Sequence, residues 1–251
     1  MKIPVRSVAI IALSFSTVAF AQTSIPPGTV LPAQFNSSLS SQKNKPGDQV
    51  TARIMQDVPL SPGKIHAGAK LIGQVLRVKT PRNGQAAEIT LRFDIVDSGR
   101  HPIPILTNLR ALASMMEVAD AQIPPTGTDR GTPWAWATRN LIGGEVAYGE
   151  GGPVMHAGDV VGQSLFGGVL VPARASADRR CRGEVAGNNR PQAFWVFASD
   201  ACGVYGMDDV QIAHAGQTPP VGEITLTSKT EKVEIRSGSG MLLRVNEVSL
   251  R

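Results

Sequence analysis

Cysteine is nearly absent from this chain: its 251 residues include only Cys181 and Cys202. Neither has a histidine at zinc-ligand spacing. The four histidines, His66, His101, His156 and His214, are scattered, and no H-E-x-x-H occurs. No metal site and no cofactor is therefore expected. Dense basic blocks are also missing. The one cluster, Arg179-Arg180-Cys181-Arg182, reads as a solvated loop beside a cysteine or as an anion site, and it is too small for a nucleic-acid patch. There is no phosphate or dinucleotide loop, because the glycine-rich pieces do not lie between a strand and a helix. The nearest approach to G-x-S-x-G is Gly162-Gln163-Ser164-Leu165-Phe166, which lacks the second glycine and has no helix after it. No internal repeat is apparent. With these signatures absent, the expectation is a protein that is not an enzyme.

What is present begins at the amino terminus. Lys2 and Arg6 precede an apolar run from Val8 to Phe20, and Ala19-Phe20-Ala21 forms an A-x-A pattern before Gln22. This is the layout of a cleavable secretory signal peptide over residues 1–21. The run is shorter than the roughly 20 apolar residues a permanent membrane helix needs. An exported chain is thus expected, periplasmic or at the cell surface, with no membrane span once the leader is removed. Without Lys2 and Arg6, 25 − 2 = 23 bases face 20 acids, a net charge of +3. In an oxidising compartment the even cysteine count points to a disulfide between Cys181 and Cys202, the alternative being two buried free thiols.

Glycine (26) and proline (18) are spread along the chain, which suits many short strands joined by turns. Alternation is clear in Gln49 to Met55, where Val50, Ala52 and Ile54 share a face, and in Lys70 to Val78. In Ala87 to Val96, Ile89, Leu91, Phe93 and Ile95 share a face, and Arg82-Asn83-Gly84 reads as the hairpin turn before it. Residues 22–112 are expected to be a barrel-like β module, in which 25–112 form an antiparallel meander of five strands, closed or nearly closed as a small barrel. Ala111 to Gln122 fits either a short helix or a strand extension.

Residues 113–180 form a Gly/Pro-rich segment, expected to pack on the body as loose strands and loops, with a flexible linker as the rival. Trp134 and Trp136 favour packing, since a free linker gains nothing from large apolar rings. Residues 181–251 are expected to be a C-terminal β module carrying the disulfide, a second β layer. Within it Phe194 to Phe197 reads as a strand buried on both faces. The predicted fold class is mainly β throughout.

Candidate chemistry is sparse. His214 follows Asp208 and Asp209 by a few residues, and a carboxylate near an imidazole can orient a general base. The alternative is a solvated hairpin. His66 and His101 adjoin turns. Glu145 and Glu150 are ordinary carboxylates by spacing. Trp134 and Trp136 are candidate ligand-binding residues, able to stack on a sugar or peptide, or else to cap the core.

The stretch IPPGTVLPAQFNSSLSSQKNKPGDQVTARIMQDV (25–58), followed by KIHAGAKLIGQV (64–75), resembles the β-barrel module of the TrbI-type conjugal-transfer channel scaffold proteins. With the later pieces FWVFASDACGVYG (194–206), VQIAHAG (210–216) and GEITLTS (222–228), the chain is also similar to a wider group of exported bacterial proteins. The channel-scaffold likeness covers about a third of the chain and rests on turn-forming motifs. It implies a periplasmic barrel and carries over no active-site residues. The chain differs from those scaffolds in having a leader where they have a cytoplasmic tail and anchor, and in lacking an amphipathic antenna helix. Three readings follow. The first is a non-enzymatic envelope protein with a structural or interaction role, whose partner is an envelope protein or cell-wall component. The second is a carbohydrate- or peptide-binding module using the two Trp residues. The third is a hydrolase centred on His214.

Overall fold

A computed structural model describes residues 24–81, 86–99, 102–123, 138–148, 151–165, 169–172, 192–230 and 232–247. The leader, the Arg82-Asn83-Gly84 turn, His101, Trp134, Trp136, Glu150 and the cluster around Cys181 lie outside the described residues. Among the described residues no helix is long and apolar enough to cross a membrane.

The protein is mainly β. Its first part runs through β1 (Val30–Phe35), β2 (Leu39–Ser40), β3 (Gln49–Ile54), β4 (Val58–Pro59), β5 (Lys64–Ile65) and β6 (Lys70–Lys79). It continues through β7 (Ala87–Asp97), β8 (Pro102–Pro104), β9 (Thr107–Ala113) and α1 (Met115–Ala121). The middle comprises β10 (Thr138–Asn140), β11 (Glu145–Tyr148), β12 (Pro153–His156), β13 (Asp159–Leu165), β14 (Val169–Pro172) and β15 (Gln192–Ala193). The last part holds β16 (Gly203–Tyr205), β17 (Val210–Ala215), β18 (Ile224–Ser228), β19 (Glu234–Ile235) and β20 (Gly240–Val245).

Nine strands form one sheet in the order β16-β9-β20-β1-β3-β6-β7-β18-β17, with β8 added on β7. All its pairings are antiparallel except β16 on β9. The sheet curls into a nearly closed barrel, with end strands β16 and β17 in contact. Inward faces follow from period-two alternation. Val50, Ala52 and Ile54 of β3 are buried, while Gln49 before them and Arg53 between them face water. Leu31 and Ala33 of β1, Leu71 and Val75 of β6, and Leu91 and Phe93 of β7 join the same apolar interior.

Two bulges modify the expected faces of the β6–β7 hairpin. Ile72 pairs Ile95 while Gly73 pairs Phe93, so Asp94 is an extra residue on β7. One extra residue reverses the alternation beyond it. Val96 therefore points inward, fully buried, and Ile95, expected on the inner face with Phe93, is only half-buried. Gly73 is required there, because a Cβ would sit 2.0 Å from the Arg92 carbonyl oxygen. Leu76 is likewise extra on β6, which turns Arg77 outward to Glu223, 2.6 Å away, and brings Val78 against the core.

The C-terminal strands do not form a layer of their own. β20 lies between β1 and β9, with Leu243 opposite Leu31 and Met241 opposite Ala33. β18 pairs β7, and the Thr90 and Thr225 hydroxyls meet across that pair at 2.9 Å, buried. Strands β1, β3, β6, β7, β8 and β9 thus share one sheet with β16, β17, β18 and β20, where the sequence suggested two modules, 22–112 and 181–251. The physical reason is edge satisfaction. The early meander alone leaves β1 and β7 with unpaired backbone edges. Met241, Leu243 and Val245 also supply the inner face that those strands lack. The expected fifth meander strand is split. Its first half, β8, stays on β7, and its second half, β9, crosses to β20.

The middle segment is a six-stranded antiparallel meander, β10 through β15 in sequence order. A second apolar cluster joins it to the barrel's outer face. Val30, Ala111 and Leu242 come from the barrel, Val118 and Ala121 from α1, and Ile142 and Val154 from the inserted sheet. Helix α1 resolves the 111–122 ambiguity: β9 ends at Ala113, and Ser114 caps the helix by accepting the Glu117 N–H at 3.2 Å. Phe194, Val196 and Phe197 are buried as expected, but in a turn rather than a strand. Trp195 has φ +55°, and the Phe197 N–H donates to the Phe194 carbonyl. A positive φ at a bulky residue interrupts any extended run.

Candidate functional site

The sequence-derived candidates separate in space. Trp134, Trp136 and Cys181 lie outside the described residues. Cys202 is half-buried just before β16, and its N–H donates to the Tyr205 hydroxyl at 3.0 Å. His214 sits at the far end of β17 from Asp208 and Asp209, five residues or roughly 15 Å of strand away from Asp209. Its Nδ1 lies 2.8 Å from the Glu223 carbonyl oxygen and its Nε2 3.0 Å from the Thr218 hydroxyl. The imidazole thus braces the β17–β18 turn. Asp209 accepts from Thr230 Oγ1 at 3.1 Å instead. Ser164 lies within β13, paired with Leu170, and its N–H donates to the Gly152 carbonyl. It stands on no sharp strand-to-helix elbow. His66 Nδ1 is 3.8 Å from Asp57 on the exposed β4–β5 hairpin.

The residues the fold does bring together are Glu145, His156, Ser199 and Asp200. Glu145 opens β11 and is directly opposite His156, the last residue of β12. Directly opposed residues hold their Cβ atoms about 5 Å apart, so these side chains share a face. A two-residue turn, Ala157 (φ +47°) and Gly158 (φ +89°), follows His156 and leads into β13 at Asp159. Left-handed values at both central residues match the tight hairpin turn whose twist suits the flanking strands.

Ser199 and Asp200 arrive from the other side, at the end of the buried Phe194–Ala198 turn. Three bonds fix that loop. The Ala198 N–H donates to the Ile142 carbonyl at 2.7 Å, the Ala201 N–H to the Ala198 carbonyl at 3.0 Å, and Arg110 Nη2 of β9 to the Ser199 carbonyl at 2.9 Å. Gly143, at φ +109°, lets the loop approach, since a Cβ there would lie 2.9 Å from that of Ala198.

Glu145 is only 1% exposed. Its carboxylate accepts the Ser199 N–H at 2.7 Å on Oε2 and the Ser199 hydroxyl on Oε1. Burial raises its carboxyl above the ordinary carboxylate range. The Ser199 bonds oppose that rise, nearby Asp200 adds to it, and His156 works against it. One ligand-competent atom from each of Glu145, His156 and Asp200 lies within 4.8 Å of the others. Nδ1 of His156 is buried without a hydrogen-bond partner. The arrangement offers one imidazole nitrogen and two carboxylates, a donor set suited to a divalent cation.

This constellation escaped the sequence reading. Glu145 stood out only as an ordinary carboxylate and His156 only as one of four scattered histidines. The available signal was a hairpin one: Glu145 and His156 flank a Gly-rich connection that brings them opposite. Asp200 is brought in by tertiary packing alone. No protein-family model matches the chain, and no curated protein matches it.

Proposed function

We propose that this is an exported, non-enzymatic protein of the bacterial cell envelope with a structural or interaction role. The observation that carries the reading is the filled barrel. Its interior is one continuous cluster of buried apolar side chains, including Leu31, Ile54, Leu71, Ile89 and Phe93. A barrel filled by its own side chains has no interior room for a ligand, which leaves its outer face and loops for contacts. The leader motif at residues 1–21 supports export, and the turn-rich likeness to the TrbI-type scaffold barrel supports a periplasmic setting. A Cys181–Cys202 bridge belongs to the same reading. The even cysteine count supports it. The partner is an envelope protein or a cell-wall component, met by the outer face and the inserted sheet.

Fractionation combined with cross-linking in intact cells tests this. A mature chain beginning near Gln22 in the envelope fraction, cross-linked to a defined envelope component, is the expected result. An intact chain starting at Met1 in the cytosol overturns the export half. Hydrolytic activity on generic ester, peptide or glycoside substrates that vanishes in His214→Ala overturns the non-enzymatic half.

A further inference from the structure

We propose that Glu145, His156 and Asp200 bind a divalent cation of the zinc class, which clamps the inserted sheet to the loop anchored on the barrel. Three independent observations converge on this.

The first is geometry. The three donor atoms lie within 4.8 Å of one another. A tetrahedral zinc with bonds of about 2.0–2.1 Å holds its ligand atoms about 3.4 Å apart. The widest separation in the set therefore exceeds that of a bound set by at most about 1.4 Å.

The second is an unmet polar atom. Buried polar atoms nearly always have a partner, and an exception calls for an explanation such as an ion. Nδ1 of His156 is such an exception. A neutral imidazole nitrogen is a ready ligand for zinc-class cations.

The third is charge. Glu145 is fully buried and has a second carboxylate, Asp200, close by. Buried carboxylates are ordinarily paired or metal-bound, because an isolated charge in a low-dielectric site is costly. A dication between the two removes their mutual repulsion.

The surroundings match a coordination site as well. Metal-ligating carboxylates are themselves held by outer hydrogen bonds. The Ser199 N–H and hydroxyl hold Glu145 in this way, and Arg110 holds the Ser199 carbonyl. His156 and Asp200 are half-buried rather than sealed, which leaves an approach for the ion from solvent. The single imidazole favours a zinc-class ion over magnesium or calcium, which prefer oxygen alone. Because β11 and β12 belong to the inserted sheet while the 199–200 loop is tied to β9, the ion would bridge the two.

The test uses purified protein stripped with a chelator and titrated with zinc chloride by calorimetry. One equivalent is expected to bind, with affinity lowered at least tenfold by Asp200→Asn and more by His156→Ala. Ring-nitrogen resonances in the unsubstituted protein provide a readout that needs no variant. One equivalent of zinc should shift those of His156 and leave those of His66 and His214 in place. Absence of saturable binding overturns the proposal. So does binding that survives both substitutions, or a shift confined to His66 or His214.

Discussion

Ser199 donates twice to Glu145, through its backbone N–H at 2.7 Å and through its hydroxyl, and so holds a carboxylate that is 1% exposed. Ser199→Ala keeps the first bond and removes the second. Hydrogen bonds to charged groups contribute about 1.5–3 kcal/mol, and a buried acceptor left short of a donor keeps its desolvation cost. Urea unfolding of Ser199→Ala should show a loss in that range with an unchanged denaturant slope. A loss below about 0.5 kcal/mol would mean that water replaces the hydroxyl.

Gly73 faces the Arg92 carbonyl across the β6–β7 hairpin with no space for a side chain. A Cβ at residue 73 would lie 2.0 Å from that oxygen, and the obstructing atom is backbone. Gly73→Ala therefore has to shift β7 at its bulge or lose the bulge altogether. Losing it would move Val96 off the inner face. A cost of at least 1–3 kcal/mol is expected, the usual penalty of overpacking. Thermal and urea unfolding check it, and a wild-type midpoint would refute the packing account.

The faces of single strands were legible because alternation is local. Val50, Ala52 and Ile54 announce the inner face of β3 without help from the rest of the chain. Bulges were not legible, because no residue type marks Asp94 as supernumerary; its role exists only opposite Gly73. Strand order was hidden for a related reason. Leu243 could be recognised as a strand residue, but not as the neighbour of Leu31 some two hundred positions earlier. Non-local pairing is set by which edges remain open once local hairpins have formed. The cluster at Glu145 combines both difficulties. Its Glu145–His156 half follows from a hairpin, whereas Asp200 depends on how the Phe194–Ala198 turn seats in the second apolar cluster.

Ala157 occupies a left-handed conformation at φ +47° in the turn between β12 and β13. For an L-residue with a Cβ this costs roughly 1–2 kcal/mol, a penalty that glycine avoids and asparagine reduces. Ala157→Asn and Ala157→Gly should each stabilise the protein by up to about 1 kcal/mol, the glycine gain being cut by its greater unfolded-state freedom. Differential scanning calorimetry measures the shift. Destabilisation by both would show that this turn is not under backbone strain.

Cys181 and Cys202 enclose a loop of about twenty residues, for which the chain-entropy account assigns a bridge roughly 3 kcal/mol. Alkylation of the native protein with and without reductant, read by mass, is expected to label no thiol before reduction and two after it. Reduction should then lower the urea midpoint. Two labelled thiols in the unreduced secreted protein would remove the bridge from the proposed function.

Asp57 supplies the clearest pH dependence. Lys64 Nζ lies 2.5 Å from one oxygen, and the Ala67 N–H donates to the other at 2.9 Å. The Lys64 bond, then the Ala67 bond, hold this carboxyl below its ordinary value of 3.8. Below 3.8 the folded chain binds fewer protons at Asp57 than the unfolded chain, so stability rises with pH across that window. The contribution is complete above 3.8 and disappears as pH falls through the lowered folded value. Both side chains are substantially exposed, at 49% and 36%, so solvent screening keeps the gain within the 0–1 kcal/mol of surface pairs. Lys64→Met removes the largest cause and should move the Asp57 titration, followed by carboxyl-carbon NMR, up toward 3.8. The Ala67 bond remains in that variant, so the shift should be partial. Titration unmoved by the substitution would mean that the ammonium does not hold this geometry in solution.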